Sequence, residues 1–341
     1  MHRTTTLPPD DTAARDWVRI LAAYRDPDPL RSLWEIGVTV VGFIVLWIAA
    51  WHAVQISWLL AVALGVVNGG FLVRLFAIQH DCGHGSFFTN RHLSDWIGRI
   101  LGTVTLTPYD VWRRTHALHH SHAGNLDRRG IGDVHTLTLA EYQALPRFSA
   151  FMYRVYRNPL VMFGLGPTWL FFVQNRLPLG LMTAGRVYWV SAMVTNLVIA
   201  TALALIFWFG GWEALVFVFL PPTLVAASAG VWLFYVQHQF ETTMWEHDPD
   251  WQLHEAALHG SSHYDLPLVL RWMTANIGIH HVHHLYSRIP FYRLPDVLRD
   301  HQELVEVSRM TLRQSLKCAT LDLWDAERNR LISFRQARLA A

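Results

Sequence analysis

Lysine is almost missing from this chain. Of its 28 basic residues only Lys317 is a lysine, and the rest are arginines. Charge of either sign is scarce: Asp, Glu, Lys and Arg make up 16% of 341 residues, against about 25% in an average soluble chain. The net charge of +2 leaves no basic field to draw the protein onto nucleic acid. Two cysteines, Cys82 and Cys318, cannot make a disulfide framework. Residues 2–31 bring Arg3, Asp10, Asp11, Arg15 and Asp16 before any apolar run, which is not the pattern of a secretory leader. There is no internal repeat and no low-complexity linker, so the whole of 1–341 reads as one domain. What the chain has instead is 52% hydrophobic residues, 16 tryptophans and 20 histidines.

Four apolar runs are long enough to cross ~30 Å of hydrocarbon at ~20 residues each. They are Ile36–Val54, Ile56–Gln79, Val187–Phe209 and Ala214–Val236, the last kinked by Pro221-Pro222. Leu93–Thr107 and Leu160–Val173 are too short and read as interfacial or re-entrant segments. The links within the two pairs, Gln55 and Gly210–Glu213, contain no Lys or Arg. Apart from Arg74, every basic residue lies before the first run, between the second and third, or after the fourth. By the positive-inside rule both termini and residues 80–186 face the cytoplasm. The expected fold is therefore an all-α integral membrane protein with four transmembrane helices in two hairpins and a cytoplasmic helical cap. Its parts are an N-terminal segment (1–31), a first hairpin (36–79), cap residues 80–186, a second hairpin (187–236) and cap residues 237–341. Asp11–Arg25 carries Trp17, Ile20, Leu21 and Tyr24 at helical spacing, so it either lies on the bilayer or packs on the cap. The tail Leu321–Leu339 reads as a similar amphipathic helix. Arg74 either snorkels to the cytoplasmic boundary or meets a lipid head group.

Histidines cluster just beyond the ends of these runs. His80-Asp81-Cys82-Gly83-His84 follows the second run; its two histidines at i and i+4 share one helix face. His116-Ala117-Leu118-His119-His120 lies in a helix that Thr107 is expected to cap, with Pro108 in the first turn and Gly124 as the stop. His280-His281-Val282-His283-His284 repeats the i, i+3, i+4 spacing through His280, His283 and His284. His281 falls about 100° out of that register. His238 comes directly after the fourth run. A lone pair of histidines is ordinarily a surface feature, but two His-x-x-His-His triplets in one chain are not. Eight or nine imidazoles at four to six per ion imply two metals, and imidazole suits Fe, Zn, Cu and Ni. No cysteine ligand set and no Glu-x-x-His helix is present. A zinc hydrolase or metal transporter would want polar residues deep in the spans, where only Asn68, Arg74, Asn196 and small hydroxyls occur.

These motifs resemble the three histidine boxes of membrane-bound fatty acid desaturases, most closely the acyl-lipid ω6/Δ12 type. The likeness extends to Tyr235-Val236-Gln237-His238, Ser262-His263-Tyr264-Asp265 and Ile289-Pro290-Phe291-Tyr292, and covers residues 70–300. The resemblance implies a di-iron centre at the cytoplasmic face. Its ligands would be His80, His84, His116, His119, His120, His238, His280, His283 and His284, with no catalytic residue beyond them. Two iron ions would use O2 and two electrons to remove two hydrogens from adjacent methylenes of a lipid acyl chain, giving a cis double bond. No donor domain is evident, so a separate ferredoxin or cytochrome b5-type protein would supply the electrons. A related hydroxylase, ketolase or acetylenase acting on fatty acids, alkanes or carotenoids shares the same boxes. Asn276, Asp81 and Asp265, with Glu241, are candidates to orient the imidazoles from behind; capping and surface roles are open for each. Cys82 reads as a small packing residue.

Overall fold

The computed structural model describes residues 11–130 and 132–339; Arg3 and Asp10, with the rest of the first ten residues, lie outside the described residues. Helix α1 (Asp11–Leu21) leads into the long α2 (Pro29–Ala53) and α3 (Trp58–His84). Asp28 caps α2 by accepting from the backbone N–H of Leu30 at 2.9 Å and Arg31 at 3.1 Å, with Pro29 in the first turn. Gly85, left-handed at φ 70°, ends α3. Box one is therefore the last turn of α3 itself. Helices α4 (Arg91–Val104), α5 (Tyr109–His122), α6 (Leu139–Gln143) and α7 (Arg147–Arg157) follow. A wide turn at Val161–Leu165 opens into α8 (Gly166–Phe172).

Next come α9 (Arg186–Ala214), a π turn (Leu215–Phe219) and α10 (Leu220–His238). Among the described residues three helices are long and apolar enough to cross a membrane: Pro29–Ala53, Trp58–His84 and the 53-residue stretch Arg186–His238. Within that stretch Gly211 is non-helical at φ 66°, ψ −165°, a backbone state that a side chain would strain. Pro221 and Pro222 withhold two N–H donors from carbonyls one turn back, and the ladder widens into the π turn just before them. Beyond α10 lie α11 (Leu253–His259), α12 (Leu268–Met273), α13 (His280–Leu285) and α14 (Leu294–Asp300).

Short strands stitch the ends together. β1 (Leu137–Thr138) pairs in parallel with β4 (Leu323–Asp325), which pairs antiparallel with β5 (Arg330–Ile332); β2 (His263–Asp265) pairs in parallel with β3 (Arg309–Thr311). The tail is thus a β-hairpin followed by a short helix, Phe334–Leu339, and not the amphipathic helix its sequence suggests. The reason is local: Asp325 Oδ1 accepts from the N–H groups of Glu327 and Arg328, and Asn329 turns left-handed at φ 47°, which closes the hairpin. Arg157 then fastens it by donating to Leu321 O at 2.7 Å and to the Tyr235 hydroxyl at 2.9 Å. The α5 cap also differs from expectation. Pro108 occupies the cap position, and the Thr107 hydroxyl donates to Thr105 O instead.

The largest core cluster joins α1, α3 and α13 through Trp17, Leu21, Leu75, Ile78, Val282 and Leu285. This favours the packed reading of α1, since Trp17 and Leu21 are buried and Trp17 meets the His301 ring edge-on at 5.3 Å. Arg74 neither snorkels nor faces head groups. It is 1% exposed and ion-paired with Glu35 of α2, while also donating to Thr39 Oγ1 at 3.1 Å and to the Trp272 carbonyl. Its guanidinium lies 4.2 Å from the Trp272 ring centroid. Breaking one partner of such a pair strands a buried charge at a cost of about 3–5 kcal/mol. Glu35→Ala is accordingly expected to lower the melting temperature in detergent sharply, and Glu35→Met with Arg74→Met to recover much of the loss. Thermal unfolding of the purified variants checks this; equal stability of the single and double variants would refute it.

Candidate metal centre

Helix rotation decides where each histidine points. Residues at i and i+4 lie about 40° apart around the axis and i+3 lies about 60° to the other side, so each triplet addresses two places. His116 and His120 of α5 join His80, His84 and His283 in one group, and His119 joins His238, His280 and His284 in the other. Box three mirrors box two: His280 and His284 go to the second group and His283 to the first. In each group one ring nitrogen per residue lies within 4.8 Å of all the others. All nine histidines singled out from the sequence stand in these two groups.

In the five-histidine group, Nε2 of His116 is 3.0 Å from Nε2 of His84 and 3.1 Å from that of His120, and His120 Nε2 is 3.2 Å from His283 Nε2. In the four-histidine group, His238 Nε2 lies 3.1 Å from His119 Nε2 and 3.0 Å from His280 Nε2. The two groups adjoin where the His120 and His284 rings stack with centroids 4.0 Å apart. Burial pushes His116, His120, His280, His283 and His284 well below the usual imidazole range, and neighbouring imidazoles reinforce the shift. These rings are neutral at pH 7 and present lone pairs.

Nε2 of His80 and Nε2 of His284 are buried with no protein partner, and Nε2 of His116 cannot donate to both of its neighbours at once. An unmatched buried polar atom costs about 1–3 kcal/mol. Convergent, neutral, unmatched imidazole nitrogens are the donor set a divalent first-row metal requires, so the residues present fit two metal ions.

Behind the rings the sequence reading is only partly matched. Asp81 does stand behind an imidazole: its Oδ1 is 3.0 Å from His80 Nδ1, while Oδ2 accepts from the backbone N–H of Phe291 at 2.7 Å. Asn276 does not. Its amide donates to Phe291 O at 3.1 Å, and its backbone is left-handed at φ 55°. Helix α13 begins only at His280, so there is no preceding turn to carry Asn276 to the ring. Asp265 is paired with Arg309 at 2.7 Å across β2 and β3, and Glu241 lies 3.7 Å from Arg330. Cys82 is fully buried in the core.

Three contacts were not foreseen from sequence. Asp133 Oδ1 lies 2.6 Å from His119 Nδ1, Gly260 O lies 3.2 Å from His238 Nδ1, and the Trp112 ring stacks on His116 with centroids 4.7 Å apart. Only Trp112, one turn before His116 in the same helix, left a signal in the sequence. His281 faces away from both groups. Its Nε2 lies 3.0 Å from Leu304 O and its ring 5.6 Å from that of His263.

An apolar cavity of about 1050 Å³ runs between α3, α5, α8 and α10 and reaches His80, His116 and His280. A model of the fatty acid desaturase family matches residues 56–315. The chain belongs to that family. This desaturase, an oxidoreductase, is 42% identical over 318 residues to a fatty acid desaturase of Bacillus subtilis, covering 92% of this chain and 89% of that one. It is 28% identical over 289 residues to the sn-1 acyl-lipid omega-3 desaturase (ferredoxin) of Synechocystis sp., covering 79% and 74% of the two chains. It is 27% identical over 259 residues to the sn-1 oleoyl-lipid 12-desaturase of the same genus, covering 76% and 71%.

The geometry separates members of box three from their neighbour. His283→Ala is expected to remove most bound metal from one group, because the remaining imidazoles cannot fill its position. His281→Ala is expected to leave metal content within about twofold of the parent. Metal per purified protein, with expression matched, distinguishes the two; equal loss in both variants would refute the assigned register.

Proposed function

We propose that this desaturase introduces a cis double bond into a monounsaturated acyl chain of a membrane lipid, with ω6/Δ12 regiospecificity. The observation that carries the reading is the junction of two imidazole pockets with one large apolar cavity. In this reading His80, His84, His116, His120 and His283 hold one iron ion, and His119, His238, His280 and His284 hold the other. Bound there, two iron ions would supply the O2-derived oxidant for removing two hydrogens from adjacent methylenes, with two electrons from a separate donor of the ferredoxin or cytochrome b5 class. Side-chain acid–base chemistry cannot attack an unactivated C–H bond, so the hard step belongs to the metals.

The protein's own task is to position the chain and exclude water. Leu72, Val73, Phe76 and Ala77 of α3 supply one wall and Ala226, Gly230 and Val231 of α10 another. Among the described residues no Lys or Arg lines the cavity to neutralise a phosphate. That suits an acyl tail that stays attached to a bilayer lipid, and relatives bearing the names acyl-lipid omega-3 and oleoyl-lipid 12-desaturase agree with it.

The topology we infer has four spans in two hairpins within a single domain. A straight helix of 53 residues would measure about 80 Å at 1.5 Å per residue, far beyond one bilayer thickness, so the break at Gly211 is read as the reversal between two spans. Both reversals lack positive charge, which puts the termini and the histidine pockets on the cytoplasmic side. A reporter fused after Ala341 is expected to be active only in the cytoplasm.

The deciding experiment is expression in a host with simple fatty acids, followed by mass-spectrometric location of any new double bond. A new cis bond on the methyl side of an existing one is expected. A bond placed only in saturated chains would overturn the regiospecificity, and a hydroxylated product would overturn desaturation. The cavity can be tested in the same host. A Cβ on Gly230 meets no atom within 4 Å, so Gly230→Ala is expected to keep activity. Gly230→Phe, which fills the cavity, is expected to cut product from the longest chains more than tenfold without changing metal content. Unchanged products from Gly230→Phe would count against the cavity as the acyl site.

A further inference from the structure

Among the described residues Asp133 is the one carboxylate on the wall of the large cavity, where the other titratable groups are His80, His116, His280 and Tyr156. It is also in contact with the four-histidine group. Its Oδ1 lies 2.6 Å from Nδ1 of His119, and the ring's other nitrogen, Nε2, meets His238 inside the pocket. An ionised carboxylate at that distance accepts from Nδ1–H, and in the neutral ring this leaves the Nε2 lone pair for the pocket. The three remaining rings of this pocket show no such partner: His238 Nδ1 faces the Gly260 carbonyl, and His280 Nδ1 and His284 Nε2 are buried without a partner. Among the described residues, His119 is therefore the only member of its group with a carboxylate behind it.

The placement is built in. Asp133 follows Gly130 at φ 147° and Gly132 at φ 89°. A Cβ on Gly132 would lie 2.8 Å from the Thr115 carbonyl oxygen and 3.2 Å from His119 Cβ, so the loop is pressed onto α5 where only glycine fits. Arg129 anchors the loop separately, donating to Leu126 O at 2.7 Å, Thr136 O at 2.6 Å and Glu141 at 2.6 Å.

We propose that Asp133 is the positioning residue of the four-histidine pocket: its carboxylate accepts the Nδ1–H of His119, fixes that ring with Nε2 toward the pocket, and ties it to the wall of the acyl cavity. The assignment rests on the reading of His119 as a ligand. Partners of this kind are worth 10–100-fold in metal affinity when removed.

The test uses the purified full-length protein loaded anaerobically with Fe(II), then challenged with a chelator, with iron per protein measured over time. Asp133→Ala is expected to release one of the two ions about 10–100-fold more readily. Asp133→Asn, which keeps an acceptor oxygen without the charge, is expected to fall between Asp133→Ala and the parent. Arg129→Ala cuts the loop's anchors but keeps the carboxylate, and is expected to retain both ions. The Co(II)-loaded protein gives a second readout, since Asp133→Ala is expected to shift the visible absorption of one ion only. Retention of both ions at parental strength in Asp133→Ala overturns the proposal. Equal loss in Arg129→Ala also overturns it, because the fold of the loop would then be responsible. If His119→Ala keeps both ions, the ligand reading itself fails. If His119→Ala loses one and Asp133→Ala does not, only the role of Asp133 falls.

Discussion

The structure turns on the hundred-degree step of the α-helix. A His-x-x-His-His triplet cannot aim all three rings at one point, because its fourth and fifth positions fall on opposite sides of the first. Two triplets set face to face resolve this by exchange, each giving a pair to one pocket and a single ring to the other. Box two gives its pair to the five-histidine group and box three gives its pair to the four-histidine group. The last turn of α3 adds a pair to the first, and the last residue of α10 adds one ring to the second. Two pockets follow from the spacing itself, and the long helices serve to bring four helix ends to one level.

A second constraint is charge. Nine imidazoles packed this closely would be untenable if protonated, since each cation would be desolvated beside others of like sign. Burial favours the neutral form of His116, His120, His280, His283 and His284, and among the described residues no carboxylate joins either group. Asp81 and Asp133 meet these rings at Nδ1, of His80 and His119 respectively. The apolar cavity begins at the same histidines, so dry wall and donor atoms share a border.

Features carried by short-range periodicity were legible in the sequence. The apolar runs, the two triplets and the off-register position of His281 are all of this kind. What was not legible depends on partners distant in the chain. The tail from Leu321 has an amphipathic pattern, but a local turn at Asp325 and Asn329 folds it back, and β1 and Arg157, far earlier in the sequence, hold the hairpin in place. Asn276 sits one helical turn before His280 by number alone; the chain there makes turns, a choice fixed by the pairing of Tyr264 with Gly278 and not by the residues' propensity. Asp133 belongs to a glycine-rich loop whose shape follows from close contact with α5, and no spacing rule reaches it.

The pairing of Arg74 with Glu35 belongs to the same class and bears directly on the site. Arg74 lies six residues before His80, about 9 Å along the helix. An apolar seam between α2 and α3 constrains sliding only through shape, whereas a buried cation with its anion, a hydroxyl and a carbonyl as fixed partners admits one register. A shift of a single residue would turn box one through about 100° and carry both His80 and His84 away from the pocket they share with α5 and α13. Exchange of the pair for apolar residues need cost little stability. Its place in the structure is better understood as a pin that helps set the height and rotation of α3, so that the end of a largely apolar helix meets the other boxes in phase.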